Sequence, residues 1–563
     1  MTCPDFSYGR TLLNRRQIVE TTLVKPHDGA FTGIDGFIVG KVDGTWVAYD
    51  NICDHNGGTL CVDTGSKTAT CPQHKWTLLL DESKYENNCP KQRLTVVENE
   101  KCLTVSRVDE NFPEVDTRGL ADAPVEFRFN AHASVSFDID GLSVITDPWL
   151  IGSCFASGWW HAYPPGEEAV ARLAASDLIY ISHNHPDHLH LATLRKYVRK
   201  DMLFLIPDFE SKSVEKILRR EGYTNLIVAD FLQEVLVATD HGFVKFLIVK
   251  AGDDRDDSSL LVYSKDDSIL FGVDTNMPNK WILPDVNLLF TPFAGGASGF
   301  PSRIENFDST KKREIIGANR HLVLNDHVRK LVQATAPRYV VPYAGYFTES
   351  YRDADVKEIN VKNSAADLID YLERNFAGTT GINPLDHGEF ALYRGAMTYG
   401  QHDETPLYFV DEEYVQAEME DFASKSSNAD RHYLTRLGER FLASDFDDDL
   451  TVVVSPTHDD FSPCGEELLI IDFSTDNRAF RIERLAGLDS ASVCDAISAH
   501  TRNNIELLRV RSNSLTAVLN EGLPLEELSI GFQARMYRRP NVYNFRFWDH
   551  FTNTDIIRLG LPR

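Results

Sequence analysis

No apolar run in these 563 residues approaches the roughly 18 to 20 needed to span a bilayer, and no apolar stretch follows a basic segment at the start. Neither a membrane segment nor a cleaved leader is expected. Disulfide-scaffold spacing is also missing: nine cysteines are scattered along the chain, so a reducing, cytoplasmic compartment is the expectation. Positive charge is short. Lys and Arg total 57 against 84 Asp and Glu, and the net charge of −27 repels nucleic acid and anionic lipid while suiting a basic partner protein. An anionic substrate would need a locally basic pocket. The length exceeds what one hydrophobic core serves, so three domains are expected.

Against these absences stands a concentration of ligand-type residues. Cys53 and His55 lie in C-D-H-N-G-G-T-L, and Cys71 and His74 in C-P-Q-H. Two mixed pairs, C-x-H and C-x-x-H, supply what a Rieske [2Fe–2S] cluster needs: two thiolates for one iron and two imidazoles for the other. Imidazole ligation raises the reduction potential, so such a cluster passes electrons to a neighbour. Zinc is the alternative, but zinc fingers more often group cysteines together and histidines together. Cys61 and Cys89 lie near the pairs and read as thiols packed as small hydrophobes rather than as a disulfide.

The chain divides by pattern. Short β-rich runs with Gly and Asp-Gly turns fill the first hundred residues and predict an all-β, cluster-bearing domain over 1–110. Asp109 to Pro124, with two prolines and several acids, reads as a linker. From Val125 strands alternate with helices, which predicts an α/β domain over 118–400. An α+β region, 401–563, encloses the acidic run Phe446 to Leu450 and carries no metal-ligand spacing of its own.

After the buried-strand pattern DLIYIS comes His183-Asn184-His185-Pro186-Asp187-His188. The metallo-β-lactamase fold, an αββα sandwich, places such an H-x-H-x-D-H run at a strand-to-helix junction, where the side chains converge on one or two metals. Asp274, directly after the strand SILFGV, is a further candidate ligand. Asp253 and Asp254 stand where many members of that fold supply a histidine, so Asp253 is a substitute ligand or the site has fewer. Histidines and a carboxylate with open positions suit mononuclear non-haem iron, or zinc in a hydrolase. An electron source in the same chain favours iron. His161, His190, His327 and His387 read as ordinary packing or surface residues.

Both motifs in one polypeptide resemble the cytidine monophosphate-N-acetylneuraminic acid hydroxylase family. The likeness extends through NGGTL, TDPWL, FASGWW, DLIYISHNHPDH, TPFAGGASGFP, PYAGYFTES and IGFQARMYRRP. It implies a monooxygenase that converts the N-acetyl group of a CMP-linked sialic acid to N-glycolyl, with O₂ and electrons from NADH or NADPH. Those electrons would reach the cluster through a reductase and a small b-type cytochrome or a ferredoxin, and leave through His55 or His74 towards Asp187 and His188. Two departures stand out. Where the family carries a histidine, KAGDDRDDSS offers acids and no histidine, and the stretch from Pro301 to Leu322 has little in common with it.

For the substrate's anion, Gly295, Gly296 and Gly299 offer backbone N–H groups or merely a tight turn. Arg535, Arg538 and Arg539 form the densest basic cluster near the C-terminus and read either as an anion clamp or as a solvated stripe. The oligomeric state is left open. So are an N-oxygenase acting on another amine or amino sugar, a zinc hydrolase with a redox-sensing Rieske domain, and an electron-transfer scaffold.

Overall fold

The computed structural model describes residues 4–55, 57–72, 75–295, 299–349, 354–400, 404–425, 432–465, 467–474, 478–485, 489–501 and 504–557. Three small antiparallel sheets build the N-terminal unit. One joins Thr95–Glu98, Cys102–Asn111 and Arg15–Val24; a second joins Thr32–Ile34, Phe37–Val42 and Thr45–Asp50; the third joins four short strands from Cys61–Asp63 to Lys84–Tyr85. Asp35-Gly36 and Asp43-Gly44 turn the second sheet with positive φ at both residues, the geometry that a two-residue hairpin of matching twist demands. Ile38, Val47, Tyr49, Leu60, Trp76, Leu78 and Tyr85 close a core around Cys53 and Cys71.

Two eight-stranded sheets pack face to face in the centre. One runs Leu226–Ala229, Leu203–Pro207, Leu178–Tyr180, Leu142–Thr146, Ser134–Ile139, Val125–Ala131, Glu389–Tyr393 and Ala396–Gly400. The other runs Phe6–Thr11, Gln233–Ala238, Phe243–Lys250, Ser258–Tyr263, Ser268–Phe271, Leu288–Thr291, Tyr339–Pro342 and Thr380–Gly381. Phe127 and Phe137 of the first meet Phe246, Phe271 and Phe290 of the second in a shared core. Helices Glu167–Ala175, Leu191–Tyr197 and Ser213–Arg220 cover one outer face, while Arg329–Thr335 and Ala365–Asn375 cover the other. Burial on both sides explains why Leu203–Pro207 and Ser258–Tyr263 are apolar without clean alternation. The arrangement is an αββα sandwich.

Two segments differ from the expectation. Phe6–Thr11, read as part of the N-terminal unit, pairs antiparallel with Gln233–Ala238 at the edge of a central sheet. The stretch read as a linker is held down: Leu120 and Ala121 are buried, Ala121 N–H donates to the Phe243 carbonyl at 2.9 Å, and Lys245 Nζ donates to the Asp116 carbonyl at 2.6 Å. Its prolines and acids do not prevent packing. Further on, a mixed five-stranded sheet runs Ala479–Arg484, Glu467–Asp472, Leu450–Thr457, Asn504–Arg511 and Ala534–Arg539, with helices Tyr433–Ala443, Ser490–Ser498 and Ser512–Glu521 against it. No helix among the described residues is long and apolar enough to cross a membrane.

Candidate metal centres and the cavity between them

The two N-terminal ligand loops close in the same way. Cys53 N–H donates to the Gly58 carbonyl at 2.8 Å and Gly57 N–H to the Cys53 carbonyl at 2.9 Å; Cys71 N–H donates to Trp76 at 2.8 Å and Lys75 N–H to Cys71 at 3.0 Å. In each loop the residue four after the cysteine, Gly57 or Lys75, has a positive φ that reverses the chain. The two thiols are thus buried at equivalent tips. The His55 ring stacks on Trp76 with centroids 4.5 Å apart, while His74 lies outside the described residues. Lys91 braces the approach to Cys53: its buried ammonium donates to Asp50 at 2.7 Å, to the Ile52 carbonyl at 2.5 Å and to Asp54 at 3.0 Å. Cys61 is exposed and Cys89 half-buried, and neither forms a disulfide.

The second group collects at the carboxyl ends of central strands. Asp147 follows Leu142–Thr146, and its carboxylate accepts from Ser182 N–H and from Ser182 Oγ, both at 2.8 Å, and lies 3.0 Å from His188 Nδ1. That fixes the His188 ring with Nε2 turned inward, 3.4 Å from Asp187 and 3.6 Å from Asp274. His132, in the hairpin after Val125–Ala131, brings Nε2 to 3.1 Å from Asp187. His183 Nε2 is 2.9 Å from His185 Nδ1 and 3.7 Å from Asp257. Two triads therefore hold donor atoms close enough for an ion, His132 with Asp187 and His188, and His183 with His188 and Asp274.

The buried atoms of this group fit a cation. Asp187 Oδ1, His188 Nε2 and His132 Nδ1 make no hydrogen bond, an arrangement that is costly unless something positive sits among them. Burial opposes charge on His188, yet Asp187 and Asp147 outweigh it and hold its pKa well above the usual histidine range. Burial would likewise raise the Asp187 carboxyl; His188 and His132 instead hold it well below its usual range. Asp147→Asn removes the acceptor that orients His188, and metal affinity at this group is expected to fall roughly 10- to 100-fold, read by iron titration of the apoprotein.

Asp253 is not part of either triad. Its Oδ1 accepts from Arg255 N–H at 3.2 Å, and its Oδ2 from Arg255 Nε at 3.0 Å and Asn276 at 3.2 Å, so the neighbouring guanidinium has taken the carboxylate that was expected to bind metal. Asp254 is exposed. Asp257 is the acid that faces His183, and burial pushes its carboxyl up to about 6. His132, Asp257 and the C-terminal Glu526, 3.6 Å from His185 Nε2, lie outside any contiguous motif. His161 stacks on Trp149 at 3.8 Å, His190 caps Leu191–Tyr197, and His387 packs on Tyr399, which leaves His327 as the spare histidine that faces the site.

A cavity of about 420 Å³ lies between the two groups, with His55 and Trp76 on its N-terminal wall and His132, Asp187 and Asp274 in its central one. Gly295 and Arg538 also line it, while Gly296 lies outside the described residues. The expected arginine clamp does not form as a unit. Strand alternation sends Arg535 and Arg539 to one face of Ala534–Arg539 and Arg538 to the other. Arg535 sits over the Phe461 ring at 4.3 Å, and Arg539 pairs with Asp495. Arg538 is buried against Glu506 at 3.2 Å.

Comparison with known proteins agrees with this layout. A Rieske [2Fe-2S] domain matches residues 15–98, and a beta-lactamase superfamily domain matches residues 126–253. The cytidine monophosphate-N-acetylneuraminic acid hydroxylase of Xenopus laevis is 31% identical over 547 residues, covering 92% of this chain and 88% of its own. The protein of that name from Danio rerio is 29% identical over 555 residues with the same coverages, and that of Mus musculus 30% identical over 539 residues, covering 90% of this chain and 88% of its own. The chain belongs to the cytidine monophosphate-N-acetylneuraminic acid hydroxylase family and is a Rieske iron–sulfur hydroxylase, with two side-chain groups in its central unit that could hold a metal ion.

Proposed function

We propose that the chain hydroxylates the N-acyl group of a CMP-linked sialic acid, in the cytoplasm, with O₂ and electrons delivered by a b-type cytochrome or a ferredoxin and its reductase. In this reading Cys53, His55, Cys71 and His74 hold the cluster. His183, His185, Asp187, His188 and Asp274, joined by His132 and by Asp257 in place of Asp253, hold the iron. One observation carries it: a ligand of each centre faces the same cavity, so a substrate there lies within reach of both. The six thiols Cys61, Cys89, Cys102, Cys154, Cys464 and Cys494, none in a disulfide, suit a reducing compartment.

When bound, the cluster would supply electrons one at a time and the iron the O₂ activation that an unactivated C–H bond requires. The protein's own work is positional. With an ion bound, Asp147 would hold the His188 proton on Nδ1 and leave Nε2 for the ion, while Arg255 offsets the charge of Asp257, 3.1 Å away. Trp159 and Phe347, stacked at 3.7 Å, line the cavity beside His132 and exclude water from the reacting carbon. Lys330 Nζ donates to the Gly57 carbonyl at 2.6 Å and ties the first cluster loop to the central unit, which keeps the distance between centres fixed.

Reduced holoenzyme incubated with CMP-N-acetylneuraminic acid under isotopically heavy O₂ should yield a product heavier by one labelled oxygen atom, seen by mass spectrometry. Metal analysis of the same sample should give at least three irons per chain, two of them the cluster's, and little zinc. Stoichiometric zinc with only two irons, or no oxygen gain, would reject the hydroxylase reading.

A further inference from the structure

Arg303 is a buried charge in this cavity that no carboxylate among the described residues answers. It is 4% exposed and lines the cavity wall, its Nε is buried without a hydrogen bond, and its Nη1 donates to the Met536 sulfur at 3.0 Å. Among the described residues no carboxylate pairs with it. Glu506 is taken by Arg538 at 3.2 Å and Asn544 at 2.5 Å, and Glu526 by His185 and Thr552. Both acids that act on Arg303 from a distance thus have other partners. A buried charge left unpaired is costly, and folded proteins keep one only where something else compensates.

The backbone around Arg303 is built to keep it there. Met536 N–H donates to the Arg303 carbonyl at 3.0 Å and Glu305 N–H to the Met536 carbonyl at 2.7 Å, so the segment is stitched to strand Ala534–Arg539. Gly299, with φ of 69°, leaves space beside it: a Cβ there would lie 3.4 Å from Arg303 Cδ. Burial, with Arg538 adding, pulls the guanidinium down to about 10, a cost that an anion between the two arginines would relieve. Two further buried polar atoms without hydrogen bonds line the same cavity, Asn319 Oδ1 and His327 Nε2. Such atoms await an external partner.

We infer that Arg303, supported by Arg538, is the receptor for the substrate's oxyanion, a phosphate or a carboxylate, and that it orients the substrate between the two metal centres. This deepens the proposed function and rests on it for the identity of the substrate. The guanidinium's planar fork suits either oxyanion bidentately. Arg303 is outside the metal-binding groups, so its replacement separates substrate binding from metal loading.

The test uses full-length holoprotein as wild type, Arg303→Gln, Arg303→Lys and, as a surface control, Arg539→Gln. Binding of CMP-N-acetylneuraminic acid, CMP, N-acetylneuraminic acid and inorganic phosphate is measured by calorimetry, with the thermal midpoint of each ligand-free protein. Arg303→Gln should bind the sugar nucleotide about 10- to 100-fold more weakly, Arg303→Lys should recover part of the loss, and Arg539→Gln should match wild type. Loss confined to CMP assigns the phosphate, and loss confined to the free sugar acid assigns the carboxylate. The ligand-free midpoint of Arg303→Gln should stay level or rise, since an unpaired buried charge has gone; a fall with unchanged affinity would make Arg303 structural and overturn the inference. If wild type ignores the sugar nucleotide while phosphate binding still depends on Arg303, the substrate assignment fails and the receptor stands. Equal affinity for the sugar nucleotide in wild type and Arg303→Gln would leave the substrate assignment intact and sink the receptor. No binding of any of the four ligands to wild type would sink both.

Discussion

Replacing His188 by alanine should remove the second iron and abolish hydroxylation while leaving the cluster's visible absorption and paramagnetic signal as in wild type. His188 belongs to both triads, and its Nε2 carries no hydrogen bond to stand in for a metal. The alanine also leaves Asp147 with only its Ser182 contacts and Asp187 without one of its two histidines. None of these contacts reaches the N-terminal core that closes around Cys53 and Cys71. The reverse experiment is Cys53→Ser. It should bleach the cluster and stop turnover with reductant and O₂, while the iron bound at the central group, counted after the cluster is lost, stays near wild type. Loss of both signals in His188→Ala would mean that the two centres fold as one unit; retained activity would remove His188 from the site.

Much of this arrangement is legible along the chain because it is local. Each cluster loop closes on itself within six residues, and Gly57 in NGG is explained by the reversal that the loop needs after its cysteine. His183 to His188 is contiguous for a similar reason: one strand-to-helix turn delivers every side chain, and His190 caps the helix that follows. Asp-Gly turns mark hairpins at residues 35–36, 43–44 and 140–141 because few pairs tolerate positive φ at both positions.

The rest depends on topology that spacing does not encode. His132 reaches Asp187 across 55 residues, and Glu526 arrives from the C-terminal region. Asp253 and Asp257 are indistinguishable acids in KAGDDRDDSS until Arg255 is placed, and it takes Asp253 through both side-chain oxygens while Asp257 is turned to His183. Local density of arginine misled for the same reason. Three arginines close in sequence straddle a strand, while Arg303, with which no carboxylate among the described residues pairs, lies outside that stretch of sequence.

Gly531→Ala should be among the most damaging single-methyl changes in the chain, although the nearest atoms to its Cβ position belong to Phe155 and Glu527 and not to a proposed metal ligand. Gly158 of FASGWW and Gly531 of IGFQARMYRRP meet backbone to backbone: a Cβ on Gly531 would fall on the Phe155 carbonyl, and one on Gly158 would fall on the Gly531 backbone. Phe155, Ala156 and Ser157 are three successive non-glycine residues at φ of 50°, 53° and 62°. Each such residue costs about 1 kcal/mol or more, so the turn persists only because its surroundings hold it. What it holds in return is the site. The Phe155 ring packs edge-on against His185 at 5.8 Å, and helix Glu526–Ile530, which ends at Gly531, carries Glu526 to the same histidine. An added methyl must move backbone on one side or the other, at a cost of about 3 kcal/mol or more, and the thermal midpoint should drop by roughly 4 °C or more. Turnover should fall with it, because His185 loses its position. Gly317→Ala is the matched control: it lies in helix Ser309–Leu322 with nothing within 4 Å of its Cβ position, and the same methyl there should stabilise by up to about 1 kcal/mol. Equal behaviour of the two variants would mean that the Gly158–Gly531 contact does not support the site.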